Sequence, residues 1–264
     1  MSVGGFLAEI RRRDALLYWT GWFHVALLAA MMLVAPFDHR TVMGLNPWMK
    51  PMKFAASIAI YAWTVAWLLG LVPGPRWARW LVSRGIGVSM VAEILCIALQ
   101  AGRGTTSHYN ISTPFDRVVF NTMGGMILLN TLLVALLLVL FSRPRPALAP
   151  SYRWGIRLGL AVFLAGSLVG AAMILHQAHT VGAPDGGLGL PLVNWSTRAG
   201  DLRVSHLLGL HALQVFPLVG WILSRKVPSP RAATAATVMF AFVYTVLFSL
   251  TFAQARAGHP VMAL

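Results

Sequence analysis

Seven apolar runs, each long enough to cross a lipid bilayer, constrain this chain more than any other feature. They cover residues 15–35, 52–72, 81–101, 118–141, 154–178, 204–223 and 232–253, and each is closed by charge, proline or glycine. A bilayer's hydrocarbon core is about 30 Å thick, which a helix of ~20 apolar residues spans. Backbone groups cannot stay unpaired in that medium, so runs of this length read as helices. The expected fold is all-α: a polytopic bundle of about seven transmembrane helices forming a single domain over residues 1–264. Charged residues are 11% of the chain, against about 25% in a soluble domain, so material for a separate water-facing domain is lacking. The first run follows Arg11, Arg12 and Arg13, as a secretory signal would. It is too long for one, contains Trp19, Trp22 and His24, and lacks a small-residue cleavage site, so it reads as a retained span.

The formal charge of +14 raises the question of nucleic acid. The 21 Lys and Arg lie between the apolar runs, with no basic helix and no basic groove interleaved with aromatics, so nucleic-acid binding is excluded. Thirteen of these cations fall at the N-terminus and in alternate gaps from there, among them Arg76, Arg79, Arg84, Arg143, Arg153 and Arg225, and eight fall on the other side. Loops rich in Lys and Arg stay in the cytoplasm. The expectation is a multi-pass protein of a cell inner membrane, with a cytoplasmic N-terminus and an outward C-terminus. The single cysteine, Cys96, lies inside an apolar run, which rules out a disulfide framework and a thiolate cluster.

Loops on the expected cytoplasmic side are short and rich in Pro and Arg, while those on the other side are longer and chemically varied, which points function outward. Asn46-Pro47 and Lys50-Pro51 suggest a short interfacial helix or turn. Gly186, Gly187 and Gly189, around Pro184 and Pro191, suit either a mobile flap or a plain connector. In the fifth run, Gly155, Gly159, Gly166 and Gly170 form one stripe, which reads as a helix-packing surface.

The densest polar stretch is GDLRVSHLLGLHALQVFP, residues 200–217, which places Asp201, Arg203, His206, His211 and Gln214 at the opening of a span. Ionisable groups in a span are costly and mark functional sites by default. All histidines except His24 fall toward the outer side: His39, His108, His176, His179, His206, His211 and His259. His24 reads as a hydrogen-bonded packing residue, and His39, His179 and His259 as solvated loop residues. His108 sits in a polar loop, Thr106-Ser107-His108-Tyr109-Asn110, that would fold over the outer mouth. Glu93 is the one acidic residue in the middle of an apolar run, and His211 is its natural partner.

Imidazole serves both as the commonest protein metal ligand and as a haem axial ligand. His176 and His211, from different helices, are therefore the leading candidates to hold haem b or a divalent metal, with His206 and His108 as further ligands, in a redox role. Any haem would be non-covalent, because C-x-x-C-H is absent. Two alternatives remain open. In a metal-dependent membrane hydrolase, Glu93 or Asp201 would position the attacking water. In a non-enzymatic ligand-binding, lipid-binding or transport protein, Arg103, Arg203 and Gln214 would hold an anion or headgroup. Expected partners are the lipid bilayer, a quinone, or another membrane protein. A retinal protein is disfavoured, since the last run has no lysine for a Schiff base.

Overall fold

The computed structural model describes residues 2–72, 74–144, 147–186 and 189–263. The fold is all-α, with seven helices long and apolar enough to cross a membrane, and the protein is a multi-pass integral membrane protein. A short first helix, α1 (Val3–Arg13), precedes α2 (Ala15–Val34), α3 (Met49–Leu69), α4 (Arg76–Gly102), α5 (Pro114–Ser142), α6 (Pro150–His176), α7 (Leu202–Lys226) and α8 (Pro230–Arg256). Helix boundaries follow residue chemistry. Ser2, Asp14, Asp201 and Ser229 accept backbone N–H bonds at the starts of α1, α2, α7 and α8. These side chains satisfy amides that have no partner inside the helix. Pro150 and Pro230 occupy first-turn positions, where the missing N–H costs nothing. Gln177, in the left-handed region at φ 55°, ends α6.

The chain forms two compact units, Met1–Leu136 and Leu137–Leu264, with the boundary inside α5. In the first unit α2 packs on α3 through Gly21, where a Cβ would lie 2.2 Å from the Trp63 indole nitrogen. Tyr61 on α3 donates to Asn130 on α5 at 2.7 Å, so the polar residue deep in α5 is satisfied within its own unit. His24, fully buried, meets the carbonyls of Thr20 at 2.7 Å and Met90 at 3.3 Å, as expected of a packing residue.

In the second unit the glycine stripe does what its spacing predicts. A Cβ on Gly155 would lie 2.4 Å from the Phe216 carbonyl oxygen, on Gly159 2.8 Å from that of Ala212, and on Gly166 2.7 Å from the Cα of Gly209. Backbones this close gain dispersion along their whole length, which drives helix association where lipid removes the hydrophobic difference. The α6–α7 pair is antiparallel, and α8 covers it through Phe216, Tyr244 and Ala241. Tyr244 donates to the Leu208 carbonyl at 2.8 Å, a contact that satisfies the hydroxyl without leaving the apolar interface.

Two loops take a definite form. Of the short helix or turn expected before α3, the structure has the turn: Asn46 donates to the carbonyls of Ala35 and Asp38 and accepts from Trp48 N–H, so α3 starts at Met49. The long loop before α7 is folded. A two-residue ladder pairs Thr180–Val181 with Gly200–Asp201, and the Asp185 carboxylate accepts the backbone N–H bonds of His179 and Thr180. Side-chain carboxylates thus supply the loop's missing backbone partners. The expected flap residue Gly187 lies outside the described residues.

Candidate functional site

Glu93 lies on α4 about 13 Å below Gly102, from nine residues at 1.5 Å each. It is 2% exposed. One carboxylate oxygen, Oε1, is 3.8 Å from His108 Nε2, and the other, Oε2, is buried without a hydrogen-bond partner. His108 reaches this depth because the loop 103–113 folds inward. Asn110 holds the loop, donating to Thr105 Oγ1 and the Thr106 carbonyl and accepting from Ser112 N–H. On the far side of the imidazole, Lys50 Nζ lies 3.1 Å from Nδ1 and Ser107 Oγ lies 3.0 Å from it. An ammonium has no lone pair, so Nδ1 accepts and the ring proton sits on Nε2, facing Glu93. The rings of Phe54 and Tyr109 flank His108 at 5.8 and 6.0 Å.

Within the first unit the imidazole beside Glu93 is that of His108. Lys50 carried no functional reading in the sequence. The signal that could have found it is its position at the first turn of a span, where α3 holds a cation at the mouth. Nearby, Arg103 is occupied: its guanidinium bonds Gln100 Oε1 and Asp116 Oδ1, both at 2.5 Å, and covers the Phe115 ring. Thr113 and Gln100 complete the bonds to Asp116. This cluster ties the loop to α4 and α5 through Nη1 of Arg103.

Asp201 serves a different purpose. It is 1% exposed, and its oxygens are fully engaged. Oδ1 accepts from Arg203 N–H at 3.0 Å and Nε at 2.9 Å, while Oδ2 accepts from Arg203 Nη2 at 2.6 Å and Ser196 N–H at 2.8 Å. Burial pushes the Asp201 carboxyl upward, and the Arg203 guanidinium with the backbone donors outweighs it, leaving the group below the ordinary carboxylate range. Arg203 also bonds the Asn194 carbonyl. Asp201 and Arg203 therefore cap α7 and pin its loop, with no acceptor left over for a water.

The histidines of the second unit stand apart from one another. His206 Nδ1 is 2.8 Å from the Gly166 carbonyl, and its ring fills the space beside Gly170. His176 sits exposed at the end of α6 and bonds the Thr180 carbonyl at 3.1 Å. Gly166 faces Gly209 in the antiparallel pair, so His176 and His211 are about twelve residues, or about 18 Å, apart along the axis. One ion or one haem iron does not reach both. Among the described residues no group of three or more His, Cys, Asp or Glu is placed to hold a metal. Gln214, one turn below His211, carries a buried Oε1 without a partner.

Fold and site together define a class, a seven-span membrane protein with a carboxylate–imidazole–ammonium cluster at depth. Comparison with protein-family models, curated proteins and solved structures finds no match to this chain.

Proposed function

We propose that this is a bacterial-type inner-membrane protein, N-terminus in the cytoplasm, whose outward-facing site on Glu93, His108 and Lys50 handles a proton together with a small hydrogen-bonding ligand. The observation that carries the reading is the buried Glu93 Oε2, an acceptor without a donor, on a carboxylate whose other oxygen faces an imidazole N–H at 3.8 Å. A carboxylate inside a membrane must pair, take a proton or touch water. Here it has an imidazole poised to pass a proton and an orphan oxygen ready to accept a hydrogen bond. Lys50, beside the ring, opposes a divalent metal at this point by charge repulsion. A carbonyl- or hydroxyl-bearing ligand of the quinone type matches the chemistry, since His108 donates to a carbonyl, Glu93 accepts from a hydroxyl, and Phe54 and Tyr109 offer ring faces. The work is proton-linked binding or transport at the outer face.

Infrared difference spectra of the reconstituted protein, recorded between about pH 4 and 9, test the reading. The expected result is a protonated-carboxyl carbonyl band that titrates, disappears in Glu93→Gln and shifts in His108→Gln. Spectra of Glu93→Gln that superimpose on those of the parent protein overturn it.

A second reading, haem b or a metal in a redox role, rests on His206. Its Nδ1–H donates to the Gly166 carbonyl, the second bond that ligating histidines usually make, which leaves Nε2 as the acceptor. A Soret band that shifts on reduction, absent in His206→Ala, would support that reading.

A further inference from the structure

We infer that the elbow between α1 and α2 is a binding site for the phosphate headgroup of an anionic phospholipid. An open cleft of about 490 Å³ lies there, lined by Leu7, Ala8, Arg11, Arg12, Ala15 and Tyr18. Its walls are held in place. Asp14 makes the bend, its N–H bonded to the Ile10 carbonyl and its carboxylate accepting from Leu17 N–H at 2.9 Å. The opposite face of α1 is anchored on α3: Ile10 is fully buried, Phe6 packs on Trp67 at 5.3 Å, and Arg13 donates to the Trp67 carbonyl at 2.7 Å. The cleft is therefore a feature of the folded unit and not a gap beside a loose terminus.

The cations divide the labour. Arg13 is spent on α3 and on Glu9, and Arg12 gives Nε and Nη2 to Glu9, which keeps Nη1 available. Arg11 has no acidic partner among the described residues and lies over the Trp19 ring at 5.7 Å. Two guanidinium groups and a phenol thus line the cleft together with Leu7, Ala8 and Ala15. Guanidinium forks match phosphate oxygens, and Arg paired with an aromatic at a span's end marks the headgroup level. Below the cleft, α2 exposes Leu16, Trp19 and Phe23, an apolar track for acyl chains. Charge above and an apolar track below fit a phospholipid and not a free phosphate. The inference is independent of the Glu93 site.

Native mass spectrometry of the detergent-purified full chain, with phosphatidylglycerol and phosphatidylcholine as probes, tests the inference. The parent protein should retain phosphatidylglycerol preferentially, and Arg11→Gln/Arg12→Gln should lose about fivefold or more of that retention. Arg79→Gln/Arg84→Gln, which removes the same charge elsewhere, should keep it. Equal losses in the two double variants would show non-specific charge attraction and overturn the inference. So would undiminished retention in Arg11→Gln/Arg12→Gln, or displacement of the lipid by millimolar inorganic phosphate. Both altered arginines are exposed, and an unchanged melting temperature checks that each variant is folded.

Discussion

Glu93, inside α4, and Asp201, at the start of α7, are both buried carboxylates, yet their surroundings differ in kind. Asp201 receives four hydrogen bonds, three of them from Arg203 and one from Ser196. Glu93 has an imidazole at 3.8 Å and an oxygen with nothing bonded to it. Leaving a buried polar atom unpaired costs about 1–3 kcal/mol, and more for a charge. A structure that satisfies one carboxylate completely and leaves the other incomplete separates support from chemistry. The Asp201 cluster holds a loop on a helix. The Glu93 cluster carries an unmet demand that a proton or ligand can answer.

The comparison assigns the second unit a tightly packed, structural frame, and the largest expected effect tests that frame. Gly166→Leu places a side chain where a Cβ already meets the Gly209 backbone at 2.7 Å. Backbone cannot step aside as a flexible side chain would. The variant should lose more than about 4 kcal/mol and fail to yield a monodisperse peak in detergent; a normal melting curve would break the frame. Next in size is Asp201→Asn, which strips the charge from a buried pair and weakens the α7 cap. A loss of about 2–4 kcal/mol is expected at neutral pH, read as a drop in melting temperature. The acid dependence has a fixed sign. Asp201 is held below its unfolded value, so its contribution is complete above about pH 4 and disappears as pH falls through the lower folded value. The parent should lose stability over that acid range more steeply than Asp201→Asn, and parallel curves would remove the pair from the stability of the loop.

Much of this frame was legible in the sequence because it rests on periodicity and length. The seven spans follow from apolar runs, and the Gly155, Gly159, Gly166 and Gly170 stripe follows from helical spacing. The amphipathic α1 was read only as a charged lead-in, because a short helix before a span gives no length signal. The site was half legible. Glu93 stood out by its cost in a span, and His108 by its polar loop. Their meeting depends on how far the loop 103–113 turns inward, which Asn110 sets through three hydrogen bonds. No spacing rule encodes that. Residue type alone does not say that the lone pairs of Asp201 are engaged by Arg203 and Ser196.

The smallest expected effect on stability discriminates most sharply. Glu93→Gln keeps the shape of the side chain and removes a charge whose second oxygen has no donor. Nothing well formed is lost, since His108 Nε2 stands at 3.8 Å, beyond a good hydrogen bond. The melting temperature should therefore move by no more than the equivalent of about 1 kcal/mol, in either direction, although the same substitution abolishes the titrating carboxyl band. A residue that is silent in stability and decisive in protonation is a working group. If Glu93→Gln instead destabilises as strongly as Asp201→Asn, Glu93 is a structural partner of His108 and Lys50, and the two carboxylates play the same part.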